Sequence, residues 1–233
     1  MRVLVALLLA VLSAPPRHAD FDHYTFALTW QPGICETGQG HCLAGQPKAP
    51  LIGLHGLWAS LPRELAAEGV VNEQWWQRGC DFYRRSSEPP PLDEALRSHL
   101  EAVMPHFEHS LLTHEYDKHV QCFGFDPEQF FAAELAMRDA VASSSFGTYL
   151  VAQAGRDVTH AEVTARFAEA FATDHSRALQ LQCEKNDSGE AVLTQFWITI
   201  HTDQVDAFPQ PQSLMDTPTD QDTCPATFRI PTW

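Results

Sequence analysis

The feature that most constrains the fold of this chain is its set of six cysteines. All six lie after residue 19, and no two form a C-x-x-C pair: Cys35, Cys42, Cys80, Cys122, Cys183 and Cys224. An even number of cysteines in an exported chain predicts three disulfides, and spacing alone leaves fifteen possible pairings. The lack of C-x-x-C argues against a zinc or thioredoxin-like protein. Because six cysteines are few for 233 residues, the bridges must staple a hydrophobic core rather than replace one.

The amino terminus predicts that the chain is exported. Arg2 precedes an apolar run over residues 3–12, which is too short to span a bilayer, and small residues and prolines follow it. We therefore expect residues 1–19 to be a secretory signal peptide and the chain to be periplasmic or secreted. A buried amino-terminal helix is the alternative for this segment. No later apolar stretch is long enough for a membrane span, so residues 20–233 should have no membrane contact once the signal is removed.

The charge of the chain limits how it can hold an anion. Thirty acidic residues against fifteen basic ones give a net charge of -15, and the clusters of lysine and arginine that would grip a long polyphosphate are missing. An anionic substrate must therefore be held by a small local site, with marked salt dependence. Acidic composition also serves solubility alone, so it names no substrate by itself.

Hydrophobic periodicity predicts strands first, then helices, then a strand hairpin. Alternation over residues 24–29 and an apolar run over 51–55 indicate two strands. Helical spacing over 92–103 and N-cap motifs at Asp126 and Thr159 indicate helices, and residues 110–120 are expected to form another short one. Two further strands, "ALQLQCE" and "AVLTQFWITI", flank the turn "KNDSGE". This order favours a single α+β domain over two domains.

The segment "HEYDKH" is the first candidate site. On a regular helix, at about 100° per residue, four of its side chains share one face: His114, Glu115, Lys118 and His119. The two histidines then lie about 140° apart, whereas the H-E-x-x-H spacing of zinc proteases leaves about 40°, which argues against a metallohydrolase. Such a face suits metal-free phosphoryl transfer, in which histidines move protons and cations stabilise the charge on phosphorus. A solvated charge cluster is the competing interpretation.

The segment "LHGLW" is the second candidate. His55 ends a predicted buried strand, Gly56 is expected to let the backbone turn closely, and Trp58 offers a large flat surface nearby. A histidine that merely packs on Trp58 is the structural alternative. The other histidines after the signal have no paired catalytic neighbours: His23, His41, His99, His106, His109, His160, His175 and His201.

Taken in order, "LHGLW" and, about sixty residues later, "HEYDKHVQC" resemble the two active-site segments of the ribonuclease T2 family. The likeness extends to "FALTWQPGIC", which is similar to the opening strand of the family, and to "LPRELAAEGVVNEQWWQRGC", which is similar to its bacterial periplasmic branch. The resemblance implies an α+β fold with a central antiparallel sheet flanked by helices, stapled by disulfides and formed by one catalytic domain over residues 20–233.

The same resemblance implies an activity. It predicts a metal-independent endoribonuclease of low base specificity that needs no cofactor and acts as a monomer. Single-stranded RNA would be cleaved through a 2′,3′-cyclic phosphate, which is then hydrolysed more slowly to a 3′-phosphate. DNA would be spared because it lacks the 2′-hydroxyl. The alternative is a binding protein for RNA or another ligand, on the same scaffold, whose catalysis has lapsed. All five reacting positions are filled, which argues against lapse.

Roles for individual residues follow from the resemblance. His119 would be the base that takes the 2′-hydroxyl proton, and His55 the acid that protonates the departing 5′ oxygen. His114 would bind phosphate, Glu115 and Lys118 would polarise it and stabilise the transition state, and Trp58 would line the base or ribose pocket.

The resemblance also implies the disulfide pairing. It predicts the bridges Cys80–Cys122 and Cys183–Cys224 and leaves Cys35–Cys42 as a local loop. The chain departs from the usual family pattern at two places, with Ala59-Ser60 after the tryptophan of the first segment and Val120 after the second catalytic histidine. Neither departure removes a reacting group.

Overall fold

A computed structural model describes residues 20–38, 42–83 and 87–233 of the protein. The predicted signal peptide, residues 1–19, and His41 lie outside the described residues. Within that described part, no helix has the length and apolar character needed to cross a membrane.

The described residues form strands in both halves of the chain and helices mainly between them. The strands are β1 (His23–Trp30), β2 (Ile52–Ala59), β3 (Arg156–Thr159), β4 (Leu179–Lys185), β5 (Ala191–His201) and β6 (Thr227–Ile230). The helices are α1 (Gln31–Glu36), α2 (Arg63–Ala67), α3 (Asn72–Arg78), α4 (Glu94–Val103), α5 (Leu111–Glu115), α6 (Pro127–Ser143), α7 (Ser145–Ala152) and α8 (His160–Phe171). A π-helical turn, Tyr116–Val120, follows α5 directly.

The strands form one sheet that is antiparallel except at a single point. Four strands pair in the order β4, β5, β1, β2, all antiparallel. Strand β6 is antiparallel to β3 and meets β5 in parallel at Val192 and Arg229. The predicted α+β fold with helices around a central sheet is therefore confirmed, with the refinement that this one parallel contact makes the sheet mixed.

The alternation of β1 gives the sheet two different faces. Phe26, Leu28 and Trp30 are fully buried, and Phe196, the partner of Leu28 on β5, packs edge-on against Phe146 of α7. Ala27 and Thr29, which lie between them on β1, have short side chains and belong to the opposite face. That second face carries α5 and the π-helical turn and contains the candidate site.

Most of the predicted elements are present, and the exceptions have local causes. The side chains of Asp126 and Thr159 cap α6 and α8 as predicted. Strand β2 does not end at His55 but continues to Ala59, so the expected turn at Gly56 is wrong. The predicted helix over 110–120 divides into α5 and the π-helical turn.

Three disulfides join the cysteines of the chain. The pairs are Cys35–Cys42, Cys80–Cys122 and Cys183–Cys224, the same pairs that the resemblance implied. The second bridge links the short 3-10 turn after α3 to the residues that immediately follow the π-helical turn. It therefore ties the segment containing His119 to the rest of the molecule.

Candidate active site

A β-bulge in β2 places His55. In the pairing of β1 with β2, Ala27 lies opposite Gly56 and Leu28 lies opposite Leu54, which leaves His55 as the extra residue. A bulge of this kind re-aims one side chain without ending the strand. The His55 side chain is 18% exposed and lines the same cavity as Trp58, three residues later on the strand.

The π-helical turn brings the two histidines of "HEYDKH" together. A π-helix pairs residue i with i+5 rather than i+4, so residues five apart come round to the same side. The rings of His114 and His119 are accordingly 6.2 Å apart between centroids. The separation of about 140° expected for a regular helix is wrong, because the helix is not regular at this point.

Trp58 joins the two candidate segments. Its ring centroid lies 4.9 Å from that of His55 and 5.4 Å from that of His119. Its indole Nε1–H donates a hydrogen bond of 2.6 Å to Oε2 of Glu115. His55 does pack on Trp58, as the structural alternative supposed, but Trp58 also contacts the residues of the second segment.

Glu115 is buried against the backbone of β2. Its side chain is 1% exposed, and its Oε1 lies 3.4 Å from Nε2 of His55 without meeting hydrogen-bond geometry. A methyl group on Gly56 would come within 2.0 Å of Oε2, so the carboxylate lies in the space that only glycine leaves open. Burial raises the pKa of Glu115 to about 8, opposed by the hydrogen bond from Trp58 and by the charge of Lys118.

Burial also keeps both candidate catalytic histidines neutral. It lowers the pKa of His55 to about 4, with the Gln195 hydrogen bond acting in the opposite direction. It lowers the pKa of His119 well below its ordinary value, and the neighbouring cationic groups add to that shift. A neutral imidazole at position 119 can accept a proton, whereas His55 must first be protonated in order to donate one.

All six predicted site residues line one cavity of about 550 Å³. They are His55, Trp58, His114, Glu115, Lys118 and His119. The cavity is large enough for part of a polynucleotide, and it places histidines, a lysine and an indole around one space. The grouping brings together segments about sixty residues apart in sequence.

The cavity also contains residues that sequence reasoning missed. Trp197 packs edge-on against Trp58 at 5.5 Å, and the half-exposed Trp76 and the exposed Arg63 lie toward the rim. Gln195 lies behind His55 and hydrogen-bonds its Nδ1 at 2.7 Å. In the sequence, Gln195 and Trp197 show only as alternate residues of a predicted strand, and nothing there connects them to His55.

His114, Glu115 and His119 lie close enough together to bind one metal ion, contrary to the expectation from a regular helix. One donor atom from each of His114, Glu115 and His119 lies within 4.8 Å of the other two. The angular reason for excluding a shared ion therefore fails, because the π-helical turn removes the angle on which it depended. The Glu115 carboxylate already accepts the Trp58 indole N–H, and we assign no metal to these residues.

The two departures from the family pattern have structural explanations. Ser60 accepts hydrogen bonds through its hydroxyl from the backbone N–H groups of Asp22 and His23. The Ala59 carbonyl accepts one from the Trp75 indole. Val120 is 1% exposed and belongs to the core. Ala59 and Ser60 fix the end of β2, and Val120 buries the end of the π-helical turn. None of these hydrogen bonds involves His55 or His119.

Comparison with known proteins identifies relatives over most of the chain. The model of the Ribonuclease T2 family matches residues 21–210. Ribonuclease I of Escherichia coli (strain K12) is 30% identical over 243 aligned positions, which cover 92% of this chain and 87% of that protein.

Solved structures share the fold at lower identity. A ribonuclease MC1 mutant in complex with 5′-GMP has a TM-score of 0.63 at 19% identity, over 90% of this chain and 100% of that one. RNase NT in complex with 5′-AMP has a TM-score of 0.63 at 18% identity, over 92% of this chain and 100% of that one. Ribonuclease MC1 from bitter gourd seeds has a TM-score of 0.59 at 20% identity, over 90% and 100%.

Fold and sequence relationships together define the protein as an endoribonuclease. The family match spans well over half of the residues, and the Escherichia coli relative aligns along most of both chains. The chain belongs to the ribonuclease T2 family.

Proposed function

We propose that the protein cleaves single-stranded RNA without a metal ion, by transesterification to a 2′,3′-cyclic phosphate followed by slower hydrolysis to a 3′-phosphate. The observation that carries this proposal is the placement of His55 and His119, which both contact Trp58 and face one cavity. A base and an acid are thus available to the two oxygens that exchange on phosphorus.

In the first step, neutral His119 takes the proton of the ribose 2′-hydroxyl. The 2′ oxygen forms a bond to phosphorus as the bond from phosphorus to the 5′ oxygen breaks. The departing 5′ oxygen takes a proton from the His55 imidazolium, which leaves a 5′-hydroxyl end and a cyclic phosphate. In the second step the roles reverse: His55 takes a proton from water as the water oxygen bonds to phosphorus, and His119 gives its proton to the 2′ oxygen as the bond from phosphorus to that oxygen breaks.

The remaining side chains stabilise charge on the phosphoryl group. Lys118 and His114 line the cavity as donors that suit an oxygen of the pentavalent transition state. Because burial raises the pKa of Glu115 to about 8, this carboxyl is largely protonated at neutral pH. A protonated Glu115 does not repel the phosphate, and among the described residues its Oε1 has no hydrogen-bond partner.

The aromatic lining of the cavity suits a base that stacks. Trp58 presents its indole beside both histidines, and stacking on an aromatic ring accepts any base. This supports low base specificity. DNA lacks the nucleophilic 2′-hydroxyl and should not be cleaved.

The proposal extends to the form in which the enzyme acts. Residues 1–19 would be removed as a signal peptide, and residues 20–233 would act as one catalytic domain, monomeric and periplasmic or secreted. The predicted disulfides suit an oxidising compartment, since such bridges persist outside the cytosol.

His55→Phe and His119→Phe test the assigned roles. Each should lower the rate on a single-stranded oligoribonucleotide by about 10²- to 10⁴-fold, because each removes one proton-transfer group. Both variants should also lose hydrolysis of a 2′,3′-cyclic mononucleotide, since the roles reverse in that step. His99→Phe, which changes an exposed histidine of α4, is the matched control.

The outcomes separate the two candidate functions. Near-normal rates in either variant would show that the role is wrongly assigned. A wild-type protein that binds the oligonucleotide but cleaves neither substrate would be the lapsed binding protein instead.

A further inference from the structure

Gln195 meets His55 across the central strand of the sheet. Strand β1 lies between β2 and β5, and Gln195 pairs with Thr29 on that strand. Ala27, the next residue on the same face of β1, pairs with Gly56 on one side and Trp197 on the other. These small side chains let the two longer ones reach each other, and Oε1 of Gln195 lies 2.7 Å from Nδ1 of His55.

A second hydrogen bond determines which way the Gln195 amide faces. The Trp197 indole Nε1–H donates to the same Oε1 at 3.2 Å. An indole nitrogen can only donate, so the atom that faces it must be the amide oxygen. The oxygen of the Gln195 amide, and not its nitrogen, therefore faces both the Trp197 indole and the His55 ring.

We propose that Gln195 is a positioning residue that holds the proton of neutral His55 on Nδ1 and so keeps Nε2 as the nitrogen that exchanges protons with the substrate. An oxygen that accepts from Trp197 can only accept from His55 as well, so Nδ1 must be its donor. This inference rests on the proposed role of His55 as the acid of the first step. No feature of the sequence or of the family match assigns Gln195.

The arrangement suits both directions of proton transfer. With Nδ1–H held by Gln195, Nε2 lies toward Glu115, whose Oε1 is 3.4 Å away. Protonated Nε2 can donate to a leaving oxygen, and bare Nε2 can take a proton from water in the hydrolysis step. The other ionisable groups that act on His55 are His114, Lys118 and His119, all on the α5 and π-helical segment.

The neutral Gln195 amide also affects the pKa of His55. The Gln195 hydrogen bond raises the pKa of His55 against the larger lowering by burial. A carboxylate at the same position would raise that pKa further, because it adds a negative charge to the same contact. Transesterification requires protonated His55, so the rate of this first step falls as pH rises past the His55 pKa.

Three variants test the role. Gln195→Leu removes the acceptor and should lower the transesterification rate roughly 10- to 100-fold, less than the loss of the ring in His55→Phe. Gln195→Glu keeps the acceptor and should retain cleavage, with the alkaline limb of the kcat/KM profile moved to higher pH. Trp197→Phe frees the amide to turn and should give a smaller loss than Gln195→Leu. Thr194→Val removes a buried hydrogen bond from the same strand and controls for stability.

A spectroscopic measurement reads the tautomer without relying on activity. The 15N chemical shifts of the His55 ring, assigned by comparison with His55→Phe, distinguish the protonated nitrogen from the bare one. In the wild-type protein Nδ1 should be protonated at neutral pH, and in Gln195→Leu the signals should move toward a mixture of the two tautomers.

The results distinguish this inference from the proposed function. If Gln195→Leu keeps both the tautomer and the pH profile of the wild-type protein, Gln195 has no positioning role. An unshifted alkaline limb in Gln195→Glu would overturn it as well, even if the leucine variant fails to fold. If His55→Phe itself remains active, the assignment of the acid is what fails.

Discussion

At the scale of single residues, Gly56 lies within β2 with the carboxylate of Glu115 directly against it. A Cβ at this position would come within 2.0 Å of Oε2 of Glu115 and 2.7 Å of Nε1 of Trp58. Both of those atoms belong to side chains rather than to backbone, so an added methyl group displaces the Glu115–Trp58 pair before it disrupts the strand. The glycine of "LHGLW" is thus explained by the space that a distant side chain needs.

Gly56→Ala should therefore reduce activity strongly in a protein that still folds. Moving a phosphate-stabilising group by about 1 Å can cost about 10²-fold in rate, whereas overpacking typically costs about 1–3 kcal/mol of unfolding free energy. The measurements are kcat/KM on single-stranded RNA and urea unfolding. Gly45→Ala, where nothing lies within 4 Å of the added methyl, is the control. An unchanged kcat/KM in Gly56→Ala would contradict the placement of Glu115.

Glu134, on α6, is a second buried carboxyl behind the site. Its side chain is fully buried, and neither of its oxygens makes a hydrogen bond with the described residues. Burial raises the pKa of Glu134 well above its ordinary value, and the charge of Glu115 adds to that effect, while the approaching backbone amide of Leu57 lowers it. The folded protein therefore holds a proton that the unfolded chain releases near pH 4.5.

The pH dependence of stability should reveal this proton. Since the folded-state pKa is raised, the contribution of Glu134 is fully present below its unfolded pKa and is lost as pH rises toward the folded pKa. Glu134→Gln removes that loss, so the unfolding free energy of the variant minus that of the wild-type protein should be larger at pH 8 than at pH 4. Urea unfolding at the two pH values measures it, with the exposed Glu73→Gln as the control. The same change in stability at both pH values would mean that Glu134 is not protonated in the fold.

At the scale of elements, the position of His119 depends on the π-helical turn and the bridge that follows it. Cys80 and Cys122 are 42 residues apart in sequence, whereas Cys35 and Cys42 are only 7 apart. The backbone of Lys118 also packs against Gly79, where an added Cβ would come within 2.2 Å of the Lys118 carbonyl oxygen. The turn is therefore held against the residues after α3 by both a covalent bond and close backbone packing.

Removal of the two bridges should have unequal effects. On the loop-entropy model, replacing Cys80 and Cys122 by alanine should cost about 4 kcal/mol, and replacing Cys35 and Cys42 about 2.5 kcal/mol. Replacing Cys80 and Cys122 should also reduce activity under conditions in which both double variants are folded, because loss of this bridge frees the segment that holds His119. Denaturant unfolding and RNA cleavage measure the two effects. Equal activity in both double variants would show that the bridge does not position the site.

Element-level patterns were predictable where the cause is local. The caps at Asp126 and Thr159 and the hairpin of β4 and β5 follow from side-chain chemistry within a few residues. The bulge at His55 and the π-helical turn were not, because each depends on how the segment pairs or packs with distant parts of the chain.

At the scale of the whole molecule, the candidate site is a local concentration of donors in an acidic protein. The net charge is -15, yet the cavity lining includes Lys118 and several histidines, while Arg63 at the same cavity is paired with Asp20 and Asp22. The sequence identified the six side chains that face this space, because their two motifs are specific. It did not identify Gln195 or Glu134, since a glutamine on a strand and a glutamate on a helix have no local pattern that marks them as partners of the site.

The central claim is that these residues cleave RNA by metal-free transesterification, and the chemistry of the product ends tests it most directly. The exported form of the protein would be incubated with single-stranded RNA in excess EDTA, and the fragment ends identified by mass spectrometry over time. We predict 5′-hydroxyl ends throughout, with 2′,3′-cyclic phosphates formed first and 3′-phosphates accumulating later. Fragments with 5′-phosphate ends, or cleavage that stops when the chelator is added, would contradict the account.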